Sequence, residues 1–545
     1  MEKRFTTRLV PRDFSGWEEV LLKGPGPLIP QHFKPGLDRA QGETRAAFLD
    51  TKLYNYEKLS DFLKEEQADM VLTPSQEKYL NRIVSEKALF VITGQQPGLL
   101  GGPIYWLYKA LSCVALARHM EKELGRLVVP LFWIADDDSD IRECNHIHLV
   151  EPDAEYRGLS LKLEGTTQHT PVGTIPFGRA TSRLLEQLGD VWSSETINFI
   201  KPYLKEDLTF SSSFKLVAQY FLGETGILFA NGFSRTFREL AAPAMNQIIS
   251  DQELITQDVE VQSELIKKMG LRPQTSFPHG TIHAFALLHG VRKRLFSDGK
   301  NIYTADMSIR VPVTDISANK PLPFDVTHDV LSRPILIDSV FPVLAHVLGP
   351  NELGYFMQLP TVFNRYKNGF PLLHPRLRAS VFSRSTGECL RAQGYNESDI
   401  LHLTPAKLRQ DVMEKQWSQL RKEGGFSIQD AEDIYRILSD TIDANLSHPL
   451  LQNDNVLSAG RRFNKELSAA WNAYLKRVKT AVCNVDSANK LFSELPWLGN
   501  GGGQDRFLNI FSLVNSMGID SVRQMISVTQ PLCLEHQLIE WQDSK

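Results

Sequence analysis

Two short segments concentrate residues able to bind or transform a ligand. The first is Thr93-Gly94-Gln95-Gln96 with Gly98, Gly101 and Gly102. Glycines let backbone amides approach a ligand closely, and a helix starting behind them favours an anion. The two glutamines donate and accept hydrogen bonds at little charge penalty. Tyr105 and Lys109 follow on that helix, where the ammonium either adds a cation to the loop or points to solvent. The spacing matches neither GxxxxGK[ST] nor GxGxxG, so it specifies no phosphate by itself, and a plain strand-to-helix turn is the competing reading.

The second segment is Asp136-Asp137-Asp138-Ser139-Asp140, followed by Glu143, Asn145, His146 and His148. Carboxylates crowded at the end of an apolar run repel one another and call for a cation, a ligand amine or a proton. Asp137, Asp138 and Asp140 could bind Mg²⁺, grip an ammonium or act as a general base, with His146 nearby for proton transfer. The competing reading is a solvated acidic loop. Farther on, Arg333, Asp338, Glu352, Tyr355, Gln358 and Arg376 form a polar set inside apolar sequence. Arginine forks in such a setting bind carboxylates or phosphates, although structural salt bridges explain each one equally well.

The flanking residues indicate how both segments are held. Ala88 to Thr93 is an apolar run that reads as a buried strand, and Pro103 stands where a helix would begin. Ile104, Leu107, Tyr108, Leu111, Val114 and Ala115 then keep the spacing of one buried helical face, and Gly125 supplies a stop. Leu127 to Ala135 reads as a second buried strand, with Pro130 uncomfortable at a central position. Strand, helix, strand makes a βαβ unit with parallel strands, so both chemical loops leave the same carboxyl edge. That edge is where open α/β sheets bind ligands. Gly226 to Ala230 reads as a further core strand, and residues 331 to 376 belong to the same core.

The fold class that follows is α/β, with a long helical insertion. In the first helical stretch Leu408, Val412, Trp417 and Leu420 give a stripe that Ala431, Ile434, Leu438 and Ile442 resume. Phe463, Leu467, Ala470, Tyr474, Val478, Ala481 and Val485 then alternate three and four apart, the spacing of a heptad seam. Two such stretches make an antiparallel coiled-coil hairpin. A second copy of the chain is the simplest cover for its apolar face, giving a homodimer; packing back on the same core is the alternative. The expected divisions are 1–395 for the core with its N-terminal helical region, 396–495 for the coiled coil and 496–545 for a return to the core. Turn-rich glycines bracket these at 24–27 and 499–503.

Composition narrows the function classes. A net charge of -4 argues against a general nucleic-acid binder, and 42% hydrophobic residues suit a large core. The N-terminus lacks an apolar signal region. The longest apolar stretch, Pro334 to Leu348, is broken by Asp338 and His346, so no membrane span is expected. Five scattered cysteines without a CxxC pair fit reduced thiols in the cytoplasm, each a small core residue.

The segments TGQQPGLLGGPIYWLYKALSCVALA, VPLFWIADDDSDIRECNH and LSRPILIDSVFPVLAHVLGPNELGYFMQLPTVF, with Gln504-Asp505-Arg506, resemble the bacillithiol cysteine-ligase family, BshC. The resemblance runs in order along essentially the whole chain. It implies a Rossmann-like core with inserted segments, a coiled coil that mediates dimerisation, and addition of cysteine to glucosaminyl-malate, the last step in making bacillithiol. Two departures stand out. The family's Gly-Glu-Asp-His-Asp is Asp136-Asp137-Asp138-Ser139-Asp140 here, and its Gln-Glu-Arg is Gln504-Asp505-Arg506.

On this footing ATP is the expected activator of the cysteine carboxyl group, with Mg²⁺ as its companion ion. Thr93 to Gly102 with Tyr105 and Lys109 would hold the anionic group, and Asp137, Asp138 and Asp140 would orient the amine or the metal. His146 would move a proton beside Asn145. Arg333 and Arg376 would anchor the malate carboxylates, with Glu352, Tyr355, Gln358, Gln504 and Arg506 around them. Two other readings compete: an adenylyl-transferring or aminoacylating enzyme with another substrate, and a non-catalytic dimeric scaffold.

Overall fold

A computed structural model describes residues 5–10, 16–23, 38–150, 156–163, 169–278, 280–316, 322, 324–396, 399, 405–422, 428–447, 454–482 and 504–542. The turn-rich glycines at 24–27 and 499–503, Cys483 and the end of the seam at Val485 lie outside these. The chain forms two compact units, one of residues 1–149, 158–381 and 504–545, the other of 150–157 and 382–503.

The first unit is built on five parallel strands: β1 (Leu89–Gln95), β2 (Val128–Ile134), β3 (Leu228–Asn231), β4 (Val343–Leu348) and β5 (Leu372–Pro375). Their order across the sheet is β5-β4-β1-β2-β3, and every neighbouring pair is parallel. β2, β4 and β5 are buried on both faces, which is why these strands read as near-continuous apolar runs. The chain moves from β1 outward to β3, then crosses back to place β4 on the other side of β1. Strand order therefore reverses between β1 and β4, the position where a doubly wound sheet opens a ligand crevice.

The expected βαβ unit is present. Tyr105–Leu124 is the crossover helix, and Gly125, at φ +62°, ends it by donating its N–H to the Glu121 carbonyl. Pro130 stands on a strand paired on both sides, in contrast to the position its chemistry suggests. β3 pairs with β2 only from Leu131 onward, so the ladder on that side begins past the proline.

A second, antiparallel sheet of five strands (Thr281–Leu288, Val291–Ser297, Asn301–Thr304, Arg310–Pro312 and Asp325–His328) is inserted between β3 and β4. Among the described residues no helix is long and apolar enough to cross a membrane. Cys113 and Cys144 are buried, but Cys389 is exposed and Cys533 is half-buried, so among the described residues only the first two are core thiols.

The second unit holds the helices Pro405–Lys422, Ile428–Leu446 and Asp454–Val482. The last two run antiparallel: Tyr435 stacks on Trp471 with ring centroids 5.1 Å apart, and Ser439 Oγ donates to Asn464 at 3.0 Å. Trp417, 4% exposed, packs with Met413, Leu475 and Val478. The inward seam is therefore Tyr435, Ser439, Ile442 and Leu446 against Leu457, Gly460, Asn464, Leu467, Trp471, Leu475 and Val478, none of them fully exposed. Of the expected seam, Ile442, Leu467 and Val478 face inward. Ile434, Leu438, Phe463, Ala470 and Tyr474 lie outward, because a stacked Tyr–Trp pair and polar Asn464 and Ser439 occupy the inner positions.

Candidate active site

The carboxyl edge of the parallel sheet collects most of the chemically able residues. At the switch point Lys109 reaches back from the crossover helix. Its ammonium donates to Gly94 O at 2.9 Å, to Gln95 Oε1 at 2.8 Å and to Glu352 Oε2 at 2.7 Å. Burial lowers its pKa, and Glu352 opposes that shift. Three partners take all three N–H bonds, so Lys109 fastens β1 to the Pro350–Phe356 helix and has none left for an anion. Glu352 in turn accepts from the Gly349 N–H at 2.7 Å, capping its own helix.

Around this pair, Gln95 Nε2 donates to the Tyr105 hydroxyl at 3.2 Å, and the Arg376 guanidinium lies 5.6 Å from the Tyr105 ring centroid. Arg376 also pairs with Asp505 at 2.7 Å. Burial works to raise the Asp505 pKa, but Arg376 and Arg378 outweigh it and hold the carboxylate below its usual range. Arg333 donates to the Tyr355 hydroxyl at 3.1 Å, and among the described residues no carboxylate lies within ion-pair distance of it. Its charge still feels Asp137 and Glu352, so it stands between the two halves of the site.

The acidic loop after β2 forms the second half. Gln96 Nε2 donates to Asp138 Oδ2 at 2.6 Å, joining the two loops directly. Asp138 also accepts the Ser139 N–H at 2.6 Å and keeps 40% of its side chain exposed. Asp137 is 2% exposed; its Oδ2 lies 3.3 Å from Arg292 Nη2 and 3.3 Å from His328 Nδ1. Asp136 accepts from Ser211 Oγ at 3.0 Å and from the Phe233 N–H at 3.3 Å. Burial and the neighbouring Asp137 push its carboxyl up to about 8, so it holds a proton at neutral pH. Among the described residues no three His, Cys, Asp or Glu side chains are disposed as metal ligands. These carboxylates are instead engaged by an arginine, a histidine, a serine and an amide.

The family model for bacillithiol biosynthesis BshC, N-terminal Rossmann-like domain, matches residues 30–377. The chain belongs to the BshC family. A relative from Geobacillus thermodenitrificans, named "Putative cysteine ligase BshC", is 25% identical over 512 residues, covering 91% of this chain and 92% of its own. Namesakes from Lysinibacillus sphaericus and Desulforamulus reducens are 24% and 30% identical, over 94% and 54% of this chain and 96% and 55% of their own. The span matched by the BshC domain contains both loops, Arg333, Glu352 and Arg376.

Within this BshC fold the remaining candidates divide sharply. Thr93 Oγ1 donates to Val347 O at 2.8 Å and ties β1 to β4. A Cβ at Gly94 would lie 2.7 Å from Trp133 O, and one at Gly98 2.7 Å from Gly102 Cα, so these glycines serve close backbone approach. Gln358 and Gln504 do not join the site. Gln358 is saturated by Thr275 and Ser263, and Gln504 by both backbone groups of Val381, at 2.6 and 2.7 Å. Arg506 is exposed. Asp140 is exposed and caps Ile141–Cys144, while Asn145 closes that turn by donating its N–H to the Ile141 carbonyl at 2.9 Å. His146 is half-buried with its ring 4.9 Å from that of His148.

Three residues of this edge escaped the sequence reading. Arg292 and His328 come from the antiparallel insertion, and Asn509 from the C-terminal return. Asn509 Nδ2 donates to Leu100 O at 2.9 Å and Gly102 O at 3.0 Å, clamping the glycine loop. The one available signal was the alternation of Arg292 and Arg294, which places both guanidiniums over the Phe285 ring at 4.0 and 4.2 Å.

Proposed function

We propose that this chain is a carbon–nitrogen ligase that joins the carboxyl group of cysteine to the amine of glucosaminyl-malate, completing bacillithiol. Membership of the BshC family, and relatives of similar length named as cysteine ligases, support the activity. The observation that carries the reading is opposite charge gathered along one sheet edge. Asp137 and Asp138 stand on the loop after β2, and Arg333 and Arg376 on the β4–β5 side. The acceptor substrate carries the matching groups, an amine at one end and malate carboxylates at the other. Arg333, whose fork among the described residues meets only a tyrosine hydroxyl, is the cation with most capacity for a substrate carboxylate.

A carboxylate does not condense with an amine unaided, so ATP is the activator in this reading and Mg²⁺ accompanies its phosphates. Asp138 faces the amine side, held by Gln96. The outward stripe of the helical unit supports the finer part of the reading, a coiled-coil homodimer, and the whole is a cytoplasmic small-molecule enzyme.

The test is direct. Purified protein with cysteine, glucosaminyl-malate and ATP should yield bacillithiol by mass spectrometry, and cells lacking the gene should lose it and accumulate the precursor. Amide formation with another amino acid but not cysteine would move the aminoacylating reading ahead.

A further inference from the structure

The insertion does more than pad the core, because it delivers an imidazole to the acidic loop. His328 is the last residue of the Asp325–His328 strand and is 3% exposed. Its Nδ1 lies 3.3 Å from Asp137 Oδ2, while its Nε2 is buried with no hydrogen-bond partner. A buried polar atom without a partner calls for an explanation, and a functional role is one of the few available. Asp137 and Gly232 frame the ring. A Cβ at Gly232, just past β3, would stand 2.6 Å from Nε2 and 3.2 Å from Asp137 Oδ1. Gly232 thus packs directly against the ring edge and Asp137, and only a residue without a side chain fits there.

Charges around the ring fix its state. Asp137 faces it from the loop after β2. Arg292 faces it from the Val291–Ser297 strand and also donates to the His328 carbonyl, Arg333 faces it from the Ser332–Val340 helix, and Asp329 adjoins it in sequence. Burial lowers its pKa to about 4 against the pull of Asp137, with both arginines adding to the lowering. At neutral pH the ring is uncharged. With Nδ1 facing a carboxylate, its single proton sits on Nδ1 and Nε2 keeps a free lone pair.

We infer that His328, oriented by Asp137, is the base that removes the proton from the attacking amine during ligation. The inference rests on the ligase reading above and adds a residue to it. The cysteine carboxyl group is first activated by a nucleoside triphosphate. As the amine nitrogen bonds the carbonyl carbon, the bond from that carbon to the phosphate-bearing oxygen breaks and the phosphate or nucleotide leaves with its electron pair. The amine proton passes to His328 Nε2, and the imidazolium beside the Asp137 carboxylate then releases it to water. Arg292 is a positioning residue, holding Asp137 and the His328 backbone in register.

Two measurements test this separately from the ligase reading. In ¹⁵N-histidine-labelled protein, the signal lost in H328Q should report an unprotonated Nε2 and a protonated Nδ1 between pH 6 and 8. A proton on Nε2 would overturn the assignment whatever the protein's activity. In turnover, H328Q should lower kcat by about 10²- to 10⁴-fold with KM changed less than about threefold. Its rate should climb as pH rises toward the amine pKa, and added imidazole should restore part of it. G232A, whose Cβ would press on Nε2 at 2.6 Å and displace the ring, should reproduce the loss of kcat. Wild-type kcat in H328Q, or a loss that neither pH nor imidazole relieves, would overturn the role of His328. Failure of the ligase reading looks different: the wild-type chain itself would form no amide.

Discussion

Lys109 is 3% exposed and Glu352 is partly buried beside it, 2.7 Å away, so each charge relies on the other. Removing one partner of such a pair leaves the other uncompensated, at a cost of about 3–5 kcal/mol. K109M is expected to lower stability by roughly that amount in a denaturant titration, with K109M/E352Q recovering part of the loss. A K109M protein as stable as wild type would mean that the pair is not the fastening described. Glu66 gives a residue-scale prediction with a definite sign. It lies 2.6 Å from Asn231 Nδ2 at the end of β3, and burial pushes its carboxyl from 4.5 up to about 7. The unfolded chain releases this proton near 4.5, so the stability linked to the protonated form is complete below that pH. It is lost as pH rises to about 7, by at most about 3 kcal/mol. Melting temperature should fall between pH 5 and 8 in wild type and fall less in E66Q; parallel curves would refute the assignment.

At the scale of elements, the glycine loop is a clamp as much as a cradle. Gly98 and Gly102 touch backbone to backbone, Gly102 has φ +69°, and Asn509 holds Leu100 and Gly102 from the far end of the chain. N509A removes two hydrogen bonds to buried carbonyls, so a loss of about 2 kcal/mol is expected, together with a drop in ligation as Gln96 loses its support. G98A should be worse, since backbone rather than a flexible side chain must yield; thermal melts and product assays on both variants check the order. The strand, the loop and the crossover helix were legible because apolar runs, glycines and a 3.6-residue period are local signals. The clamp was not, because Asn509 follows Gly102 by some 400 positions and nothing near it announces a partner. The same holds for Arg292 and His328, which ordinary strand alternation hides. Gln358 and Gln504 misled in the opposite direction: polar residues inside apolar sequence proved to be backbone staples, a role that composition cannot distinguish from ligand binding.

For the whole molecule, the order β5-β4-β1-β2-β3 explains why residues as far apart as Gln96, Asp138, Arg333 and Arg376 serve one edge. Gln96, Asp138 and Arg376 follow the ends of strands that point the same way, and Arg333 stands at the start of the helix that leads back into β4. The helical unit poses the remaining question, which is what its outward apolar residues are for. Val456, Phe463 and Tyr474 are 7 and 11 residues apart, so they fall along one stripe of Asp454–Val482. Ile434, Ile437 and Leu438 make a similar patch on Ile428–Leu446, and Ile434, Ile437 and Phe463 are each close to 60% exposed. The two helices were legible, but the facing of their apolar residues was only partly so. One residue is about 100° of helical rotation, so an apolar residue beside a seam position falls on its flank, and Tyr435 stacking on Trp471 marks the inner face. An outer stripe of this kind is stable in water when a matching stripe covers it, and a second copy supplies an identical one by two-fold symmetry. Light scattering should therefore give twice the chain mass for wild type at micromolar concentration. I437D/F463D should give the single-chain mass, because charges set into both patches cannot be buried in pairs without a large desolvation penalty. A monomeric wild type, or a double variant that still elutes as a dimer, would show that these two patches are not the contact between copies.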